Sequence, residues 1–295
     1  MVTAVLVGLL GVYRYIDNFW VYRGFPPPKV PAYVHVQGKQ ETIHVRSAAI
    51  GGRKQQVVVY LPPGYAANPT RRYPVMYLLH GFPGRPFGLF TTARMGVLDE
   101  SLVAKGSTPG VILVAPFGST GTFTDKEWAN GIGSGQGWET FVARDVVHAI
   151  DSRFRTIPSG SARAIAGLSE GGYGALNIAL HHPGEFRVIE SWSGYTRADP
   201  IQRIFGPGPA LRAYNSPALQ LPSVAGALRR AHTFVWFYSG RSDPLLGENR
   251  AFAAELARYR IAHHFFSVSG GHTWRLWREN APRALLVAVQ RLQGG

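Results

Sequence analysis

The sequence predicts an α/β protein with a doubly wound, mainly parallel β-sheet and helices on both faces. Three observations carry this prediction: short apolar runs of the kind that buried parallel strands need, helical periodicity between them, and alternation of the two from about residue 34 onward. The chain has 295 residues, of which 45% are hydrophobic and 16% charged, so it can bury a substantial core.

The predicted elements follow in order along the chain. Residues 41–50 and 54–61 are rich in β-forming residues and flank Gly51 and Gly52, which indicates an antiparallel hairpin. Further strands are predicted at residues 73–79, 110–116, 162–166, 188–193, 233–239 and 264–268. Helices are predicted at residues 138–154, 171–182, 249–259 and 274–292.

Two stretches, residues 118–137 and 195–230, lack strong periodicity. The second is rich in proline, glycine and alanine. Long irregular segments in a compact domain commonly act as lids or binding loops. We therefore expect both stretches to surround a cleft at the carboxyl edge of the sheet.

The first 33 residues form a predicted unit of their own, ahead of the main domain at residues 34–295. Residues 2–13 are apolar and glycine residues apart from Thr3, and this run is too short to span a bilayer unaided. Aromatic residues crowd positions 13–22, and residues 24–31 form a proline-rich spacer. The apolar run is interpreted as an anchor remnant, a signal segment or a packed helix. The first two favour an extracytoplasmic or membrane-anchored protein that contacts a membrane surface, and the third leaves a cytoplasmic location open.

The net charge of +14 comes from 31 Lys and Arg against 17 Asp and Glu. These charges are dispersed with no run of five basic residues, so we expect a solvated basic surface and no nucleic-acid partner. The chain has no cysteine, which excludes disulfides, thiolate metal ligands and a cysteine nucleophile. Residues 131–137 are glycine-rich but lack the ending of a phosphate-binding loop. No metal or other cofactor is predicted, and the oligomeric state is left open.

The strongest motif is Gly167-Leu-Ser169-Glu-Gly171, which lies between a predicted strand and a predicted helix. In this G-x-S-x-G elbow the turn is so tight that side chains two positions either side of the serine would clash. The turn exposes the serine hydroxyl at a helix N-terminus, where the dipole favours developing negative charge. We therefore predict that Ser169 is a nucleophile. The alternative, an ordinary Gly/Ser turn, is disfavoured by the flanking strand and helix.

A serine nucleophile needs a histidine base that is itself oriented by an acid. In the α/β-hydrolase fold the chain order is serine, acid, histidine. After Ser169, Asp243 directly follows one predicted strand and His272 follows the next in a glycine-flanked loop. Both residues are therefore expected at carboxyl ends of strands, where the site of such a fold assembles.

Other titratable residues compete for these roles. Glu248, at the start of the following helix, is the alternative acid, although a negative charge there also suits the helix dipole. His263 and His264 lie at the start of a predicted strand, at the opposite edge of the sheet, and are interpreted as structural.

The oxyanion of a tetrahedral intermediate needs two backbone N–H donors. One is predicted from Glu170, the residue after the nucleophile, and the other from Phe82, in the loop after the strand at 73–79. Side chains that contact substrate are predicted among residues near these loops, with core packing as the alternative for each: His80, Trp128, Trp138 and Trp274.

These motifs resemble those of the esterase D family, which includes S-formylglutathione hydrolases, feruloyl and acetylxylan esterases, and the antigen 85 mycolyltransferases. The resemblance covers residues 57–277 and is carried by the strings YLLHG from Tyr77, GWETF from Gly137, GLSEGG from Gly167 and GHTW from Gly271, with Trp277. It implies carboxyl-ester chemistry without a cofactor, Ser169 and His272 as nucleophile and base, and Phe82 and Glu170 as oxyanion donors. Family members use Asp or, in the mycolyltransferases, Glu as the acid, which keeps Glu248 open.

The sequence thus predicts a serine carboxylesterase whose catalytic domain spans residues 34–295 and whose substrate is a small-molecule, glycan or lipid ester. Its oxyanion loop reads His80-Gly-Phe-Pro-Gly rather than the aspartate version of the mycolyltransferases, and it lacks the cysteines that formylglutathione hydrolases often carry. Two alternatives stay open. One is an envelope acyltransferase of the mycolyltransferase type, and the other is a catalytically silent membrane-surface binding module on an esterase scaffold.

Overall fold

The computed structural model describes residues 11, 12, 15, 19 and 21–293. Its framework is one sheet of eight strands, which are β1 (Lys39–Ser47), β2 (Arg53–Leu61), β3 (Val75–Leu79), β4 (Ile112–Pro116), β5 (Arg163–Leu168), β6 (Val188–Trp192), β7 (Phe234–Gly240) and β8 (Ala262–Val268). Their order in the sheet is β1-β2-β4-β3-β5-β6-β7-β8. β2 is antiparallel to both β1 and β4, and all other neighbours are parallel. The predicted hairpin and the mainly parallel sheet are confirmed.

The helices are α1 (Phe87–Thr91), α2 (Met95–Ala104), α3 (Trp138–Thr140), α4 (Val147–Arg153), α5 (Glu170–His181), α6 (Gln202–Phe205), α7 (Pro209–Tyr214), α8 (Pro217–Arg230), α9 (Leu246–Arg258) and α10 (Trp274–Gln293). A π-helical segment, Phe141–Val146, joins α3 to α4. The predicted helix at 138–154 is therefore one continuous helical stretch with a widened centre.

Two apolar cores lie on opposite faces of the sheet because side chains alternate along each strand. Val57 and Val59 of β2 pack in one core with residues of α5, α8 and α9. Val58 of β2 lies in the other core, with residues of α2 and α10. Helices therefore cover both faces, as the sequence predicts for a doubly wound sheet.

The stretch at 195–230 differs from the prediction of an irregular lid, because it holds the three helices α6, α7 and α8. Two of them begin with a proline at the first helical turn, Pro209 and Pro217, where the missing N–H costs no hydrogen bond. The helices are short or interrupted by proline, so no long periodic pattern marks them in the sequence. The stretch at 118–137 carries no strand or helix in the structure, as predicted, apart from a single bridge between Asn130 and Gly137.

The predicted apolar run at 2–13 falls almost entirely outside the described residues, so its role and any membrane contact stay predictions. No helix in the described part of the chain is long and apolar enough to cross a membrane. Residues 21–25 are described and lie beside α1. The carbonyl oxygen of Val21 accepts hydrogen bonds from the hydroxyls of Thr91 (2.7 Å) and Thr92 (3.3 Å).

Candidate active site

Ser169 lies on the sharp turn between β5 and α5. Its backbone has φ 55° and ψ −122°, a conformation that is strained for any residue other than glycine. The Ser169 N–H donates to the carbonyl oxygen of Trp192 at 3.0 Å, which ties the turn to the end of β6. The turn therefore holds the Ser169 side chain at the carboxyl edge of the sheet.

The glycines around Ser169 are required by space. A Cβ on Gly167 would lie 2.2 Å from the carbonyl oxygen of Gly171, and one on Gly171 would lie 2.2 Å from that of Leu79. No side chain fits at such distances, because real Cβ contacts essentially never fall below 3.0 Å. The steric reason for the two motif glycines, which the sequence predicts, is thus confirmed.

A chain of hydrogen bonds joins the three residues predicted as nucleophile, base and acid. Ser169 Oγ lies 2.8 Å from His272 Nε2, and His272 Nδ1 lies 3.0 Å from Asp243 Oδ2. Because an ionised carboxylate only accepts, Nδ1 carries the proton and Nε2 is left to accept from the serine hydroxyl. The Asp243 side chain is fully buried, whereas that of His272 is 29% exposed.

The electrostatics of Asp243 keep it ionised. Burial by itself would raise the pKa of its carboxyl group, but hydrogen bonds from His272 and the Leu245 N–H lower that pKa below its ordinary value. The Leu245 N–H lies 2.9 Å from Asp243 Oδ1. Asp243 is therefore a fixed negative charge that orients the imidazole of His272.

Glu248, the alternative acid, makes different contacts. Its Oε1 accepts hydrogen bonds from the backbone N–H of Thr196 and, at 2.8 Å, from the Thr196 hydroxyl. The next residue, Asn249, donates to the carbonyl oxygen of Gly194 at 2.8 Å. The start of α9 therefore holds the loop after β6, and the structure brings Asp243, not Glu248, to His272.

The loop after β3 packs tightly against the turn at Ser169. A Cβ on Gly81 would lie 2.8 Å from Leu168 Cδ1 and 3.2 Å from Ser169 Cβ, so only glycine lets the two segments approach this closely. Phe82, the next residue, lines the same cleft as Ser169. Glu170 is the first residue of α5, a helix of 12 residues that begins directly after Ser169.

The side chain of Glu170 is buried beside two other carboxyl groups. Burial first, and then the negative charges of Glu127 and Asp125, raise the pKa of Glu170 well above its ordinary value. Glu127 is itself buried, its pKa is raised to about 8 mainly by burial, and its carboxyl group accepts a hydrogen bond from Tyr195. The raised pKa of Glu170 disfavours a negative charge next to the N–H that the sequence predicts as an oxyanion donor.

The cleft above Ser169 has a volume of about 210 Å³ and is lined by Arg23, Gly81, Phe82, Pro83, Leu168, Ser169, His272, Thr273, Trp274 and Trp277. Arg23 was not predicted, because it precedes the main domain and no local motif marks it. None of the residues from 195 to 230, which were expected to surround the cleft, lines it.

Of the four predicted substrate-contact side chains, only Trp274 lines the cleft. His80, Trp128 and Trp138 are 4%, 0% and 1% exposed, so the structure contradicts substrate contact for them. Burial lowers the pKa of His80 to about 4, and its neutral ring accepts from the Gly118 N–H at 3.2 Å.

The indole N–H of Trp128 donates to the carbonyl oxygen of His80 at 3.0 Å and so holds the loop after β3 in place. His263 and His264 lie at the start of β8, away from Ser169, as predicted. In the part of the chain that the structure describes, no group of three or more histidine or acidic side chains is arranged to hold a metal ion.

The family model of the Esterase family matches residues 47–287, which include Ser169, Asp243 and His272. The chain belongs to the Esterase family. An esterase of Mycobacterium tuberculosis is 29% identical over 250 residues, which cover 74% of this chain and 52% of that protein. A diacylglycerol acyltransferase/mycolyltransferase of Mycobacterium leprae is 26% identical over 212 residues, covering 58% of this chain and 62% of that protein. The chain spans about half the length of the first curated relatives that it matches.

Two solved structures share the fold of this chain. A ferulic acid esterase superposes with a TM-score of 0.76 at 24% identity, covering 86% of this chain and 99% of that one. An S-formylglutathione hydrolase from Agrobacterium tumefaciens superposes with a TM-score of 0.73 at 16% identity, covering 91% and 99%. The architecture is therefore the α/β-hydrolase fold, as the sequence predicts.

Proposed function

We propose that this chain is a serine carboxylesterase that hydrolyses carboxylic esters through an acyl-enzyme intermediate. The observation that carries the proposal is the hydrogen-bonded chain from Asp243 through His272 to Ser169, with bonds of 3.0 and 2.8 Å. Membership of the Esterase family supports ester chemistry. The relatedness to an esterase of Mycobacterium tuberculosis points the same way.

In the acylation step, His272 Nε2 takes the hydroxyl proton of Ser169 as Oγ attacks the ester carbonyl carbon. The carbonyl π electrons move to oxygen, and the oxyanion accepts hydrogen bonds from the N–H groups of Phe82 and Glu170. When the tetrahedral intermediate collapses, the C–O bond to the alcohol breaks and His272 returns its proton to the leaving alkoxide. Asp243 stabilises the imidazolium that exists between these two proton transfers.

In the deacylation step, water replaces the alcohol. His272 removes a proton from the water as its oxygen attacks the acyl carbon, and the same two N–H groups bind the second oxyanion. Collapse releases the carboxylic acid, and Ser169 Oγ regains its proton from His272. The His272 side chain lines the cleft and is 29% exposed, which supports the approach of water to the base.

Turnover of p-nitrophenyl butyrate by Ser169→Ala tests the proposal. We expect the variant to lose nearly all activity, by about 10³-fold or more, because the nucleophile is gone while the oxyanion donors remain. Ser223→Ala, an exposed serine on α8, is the matched control and should keep wild-type turnover. Retained activity in Ser169→Ala would overturn the assignment. Failure of a fluorophosphonate probe to label Ser169 in the folded wild-type protein would favour the silent binding module instead.

A second candidate is transfer of the acyl group to an alcohol instead of water. It is favoured by the relatedness to a diacylglycerol acyltransferase/mycolyltransferase of Mycobacterium leprae. The acyl-enzyme is common to both reactions, so the acceptor alone distinguishes them. Mass analysis of products formed in the presence of glycerol or a sugar separates the two, because only transfer makes a new ester.

A further inference from the structure

A second cavity lies beside the cleft that holds Ser169. It has a volume of about 430 Å³, twice that of the cleft itself, and its lining is mainly apolar. It is lined by Val21, Arg23, Arg85, Phe87, Gly88, Thr91, Thr122, Phe123 and Trp274. The nucleophile, base and acid do not line it, so the catalytic step leaves this space unexplained.

The cavity and the cleft are direct neighbours, because Arg23 and Trp274 line both of them. The Arg23 guanidinium lies over the Trp274 ring, 5.7 Å from its centroid, and Arg23 Nη2 donates to the carbonyl oxygen of Pro83 at 3.5 Å. A substrate whose carbonyl group lies at Ser169 can therefore extend past Arg23 and Trp274 into the larger space.

The walls are held in place by contacts outside the catalytic machinery. The two hydrogen bonds to the Val21 carbonyl oxygen fix residues 21–23 against α1. Gly88 on α1 has no side chain, and a Cβ there would lie 3.1 Å from Trp274 Cη2, so the glycine lets the edge of the indole ring approach the helix closely. The cavity is thus formed by four separate chain segments, at residues 21–23, 85–91, 122–123 and 274.

The lining combines aromatic side chains with positively charged ones. Phe87, Phe123 and Trp274 supply aromatic surface, which suits a hydrocarbon chain or a ring. Arg23 and Arg85 add two guanidinium groups to the same lining, and Arg85 is oriented by its hydrogen bond from Nε to Thr122 Oγ1 at 2.7 Å. Guanidinium groups bind carboxylate and phosphate oxygens in preference to neutral groups.

We infer that this cavity receives the acyl part of the ester and that Arg23 and Arg85 bind an anionic group carried on it. The substrate class is an amphiphilic ester with an apolar body and a carboxylate or phosphate. This inference rests on the proposed esterase function and adds its acyl specificity. The net charge of +14 would further favour the approach of such a substrate.

A matched pair of substrates tests the inference. p-Nitrophenyl octanoate and the mono-p-nitrophenyl ester of octanedioic acid share a leaving group and a chain length, and differ in a terminal methyl against a terminal carboxylate. We expect the wild-type protein at low ionic strength to have the higher kcat/KM for the anionic ester. Raising the salt concentration should reduce that preference, because exposed charges are screened.

Substitution of the two arginines identifies the source of the preference. Arg23→Gln and Arg85→Gln should each lower kcat/KM for the anionic ester by about tenfold more than for the neutral one, the loss of one charge-assisted hydrogen bond. Arg258→Gln removes the same charge from a side chain that is 70% exposed on α9, and should leave the ratio of the two substrates at its wild-type value.

Three outcomes would overturn the inference while leaving the esterase function intact. The first is equal kcat/KM for the anionic and the neutral ester. The second is a ratio of the two kcat/KM values that neither Arg23→Gln nor Arg85→Gln changes. The third is a change of that ratio in Arg258→Gln as large as in the other two variants. The last result would assign the effect to net charge. Failure to hydrolyse either ester, while p-nitrophenyl butyrate is still turned over, would also overturn the inference alone. Turnover of p-nitrophenyl butyrate that Ser169→Ala does not reduce would instead reject the proposed function itself.

Discussion

The ring of Trp277 meets the imidazole of His272 edge-on, with ring centroids 5.1 Å apart and an interplanar angle of 89°. Trp277 lies on α10, is 5% exposed and belongs to the core between this helix and the sheet. Its position is therefore fixed by the fold. The imidazole is thereby held from the side, while Asp243 holds it by hydrogen bonding at Nδ1. Two independent contacts thus set the direction of Nε2.

Trp277→Leu should lower kcat for p-nitrophenyl butyrate by about tenfold or more, since small displacements of a catalytic group are costly. KM should change less. Trp236→Leu is the matched control, because Trp236 is also buried in the same core but lines no part of the cleft. Both variants should lose stability, and only the first should lose turnover. Equal losses of kcat in the two would mean that Trp277 has no positioning role.

Replacement of Asp243 should reduce turnover, whereas replacement of Glu248 should reduce stability. Asp243→Asn should lower kcat by about 10³- to 10⁴-fold, because the amide no longer favours the tautomer with its proton on Nδ1. Glu248→Ala should keep most of its turnover and lose about 1–3 kcal/mol of stability, since Thr196 loses the acceptor of its N–H and hydroxyl. Steady-state kinetics and thermal unfolding of both variants measure the contrast. The reverse pattern would make Glu248 the acid.

The predicted acid and base came from local signals. Asp243 and His272 each follow a strand directly, and the carboxyl ends of neighbouring parallel strands meet at one edge of a sheet. Their chain order after Ser169 is the one that this fold requires. A residue that directly follows a parallel strand can therefore be placed at the carboxyl edge of the sheet from its neighbours in the sequence alone.

The parts that the sequence did not predict depend on contacts between distant segments. Arg23 reaches the cleft because Val21 is bound by Thr91 and Thr92, and no pattern around residue 23 indicates this. Trp128 lies in an irregular loop like a pocket residue, yet its indole is buried and bonded to the His80 carbonyl oxygen. Burial of a loop residue follows from tertiary packing, which periodicity does not encode.

The buried carboxyl group of Glu127 should make stability depend on pH. Its pKa rises from about 4.5 to about 8 on folding, mainly through burial, so the folded protein retains a proton that the unfolded chain has lost between these values. The free energy of unfolding should therefore fall as pH rises from about 5 to about 8, by linkage.

Glu127→Gln removes the titrating carboxyl group, and with it this pH dependence of stability, while keeping an acceptor for the Tyr195 hydroxyl. Its Tm should exceed that of the wild-type protein by an amount that grows with pH, reaching about 5 °C near pH 8. Glu255→Gln, at a side chain that is 40% exposed on α9, serves as control and should follow the wild-type curve. A Tm difference that stays constant from pH 5 to pH 8.5 would contradict a protonated Glu127 in the folded state.

Gly81→Ala tests whether the loop after β3 supplies an oxyanion donor. The added methyl group would lie 2.8 Å from Leu168 Cδ1 and 3.2 Å from Ser169 Cβ, so the loop must move away from the nucleophile and carry the Phe82 N–H with it. An oxyanion donor displaced in this way should lower kcat by about 10²-fold with a smaller change in KM.

Gly208→Ala is the matched control for that substitution. A Cβ at Gly208 meets nothing within 4 Å and its φ of −86° suits any residue, so turnover and stability should stay at wild-type values. A folded Gly81→Ala protein with unchanged kcat would remove Phe82 from the oxyanion hole. The donors would then have to be sought elsewhere around Ser169, because the hydrogen bond from Ser169 to His272 does not by itself stabilise charge on the substrate oxygen.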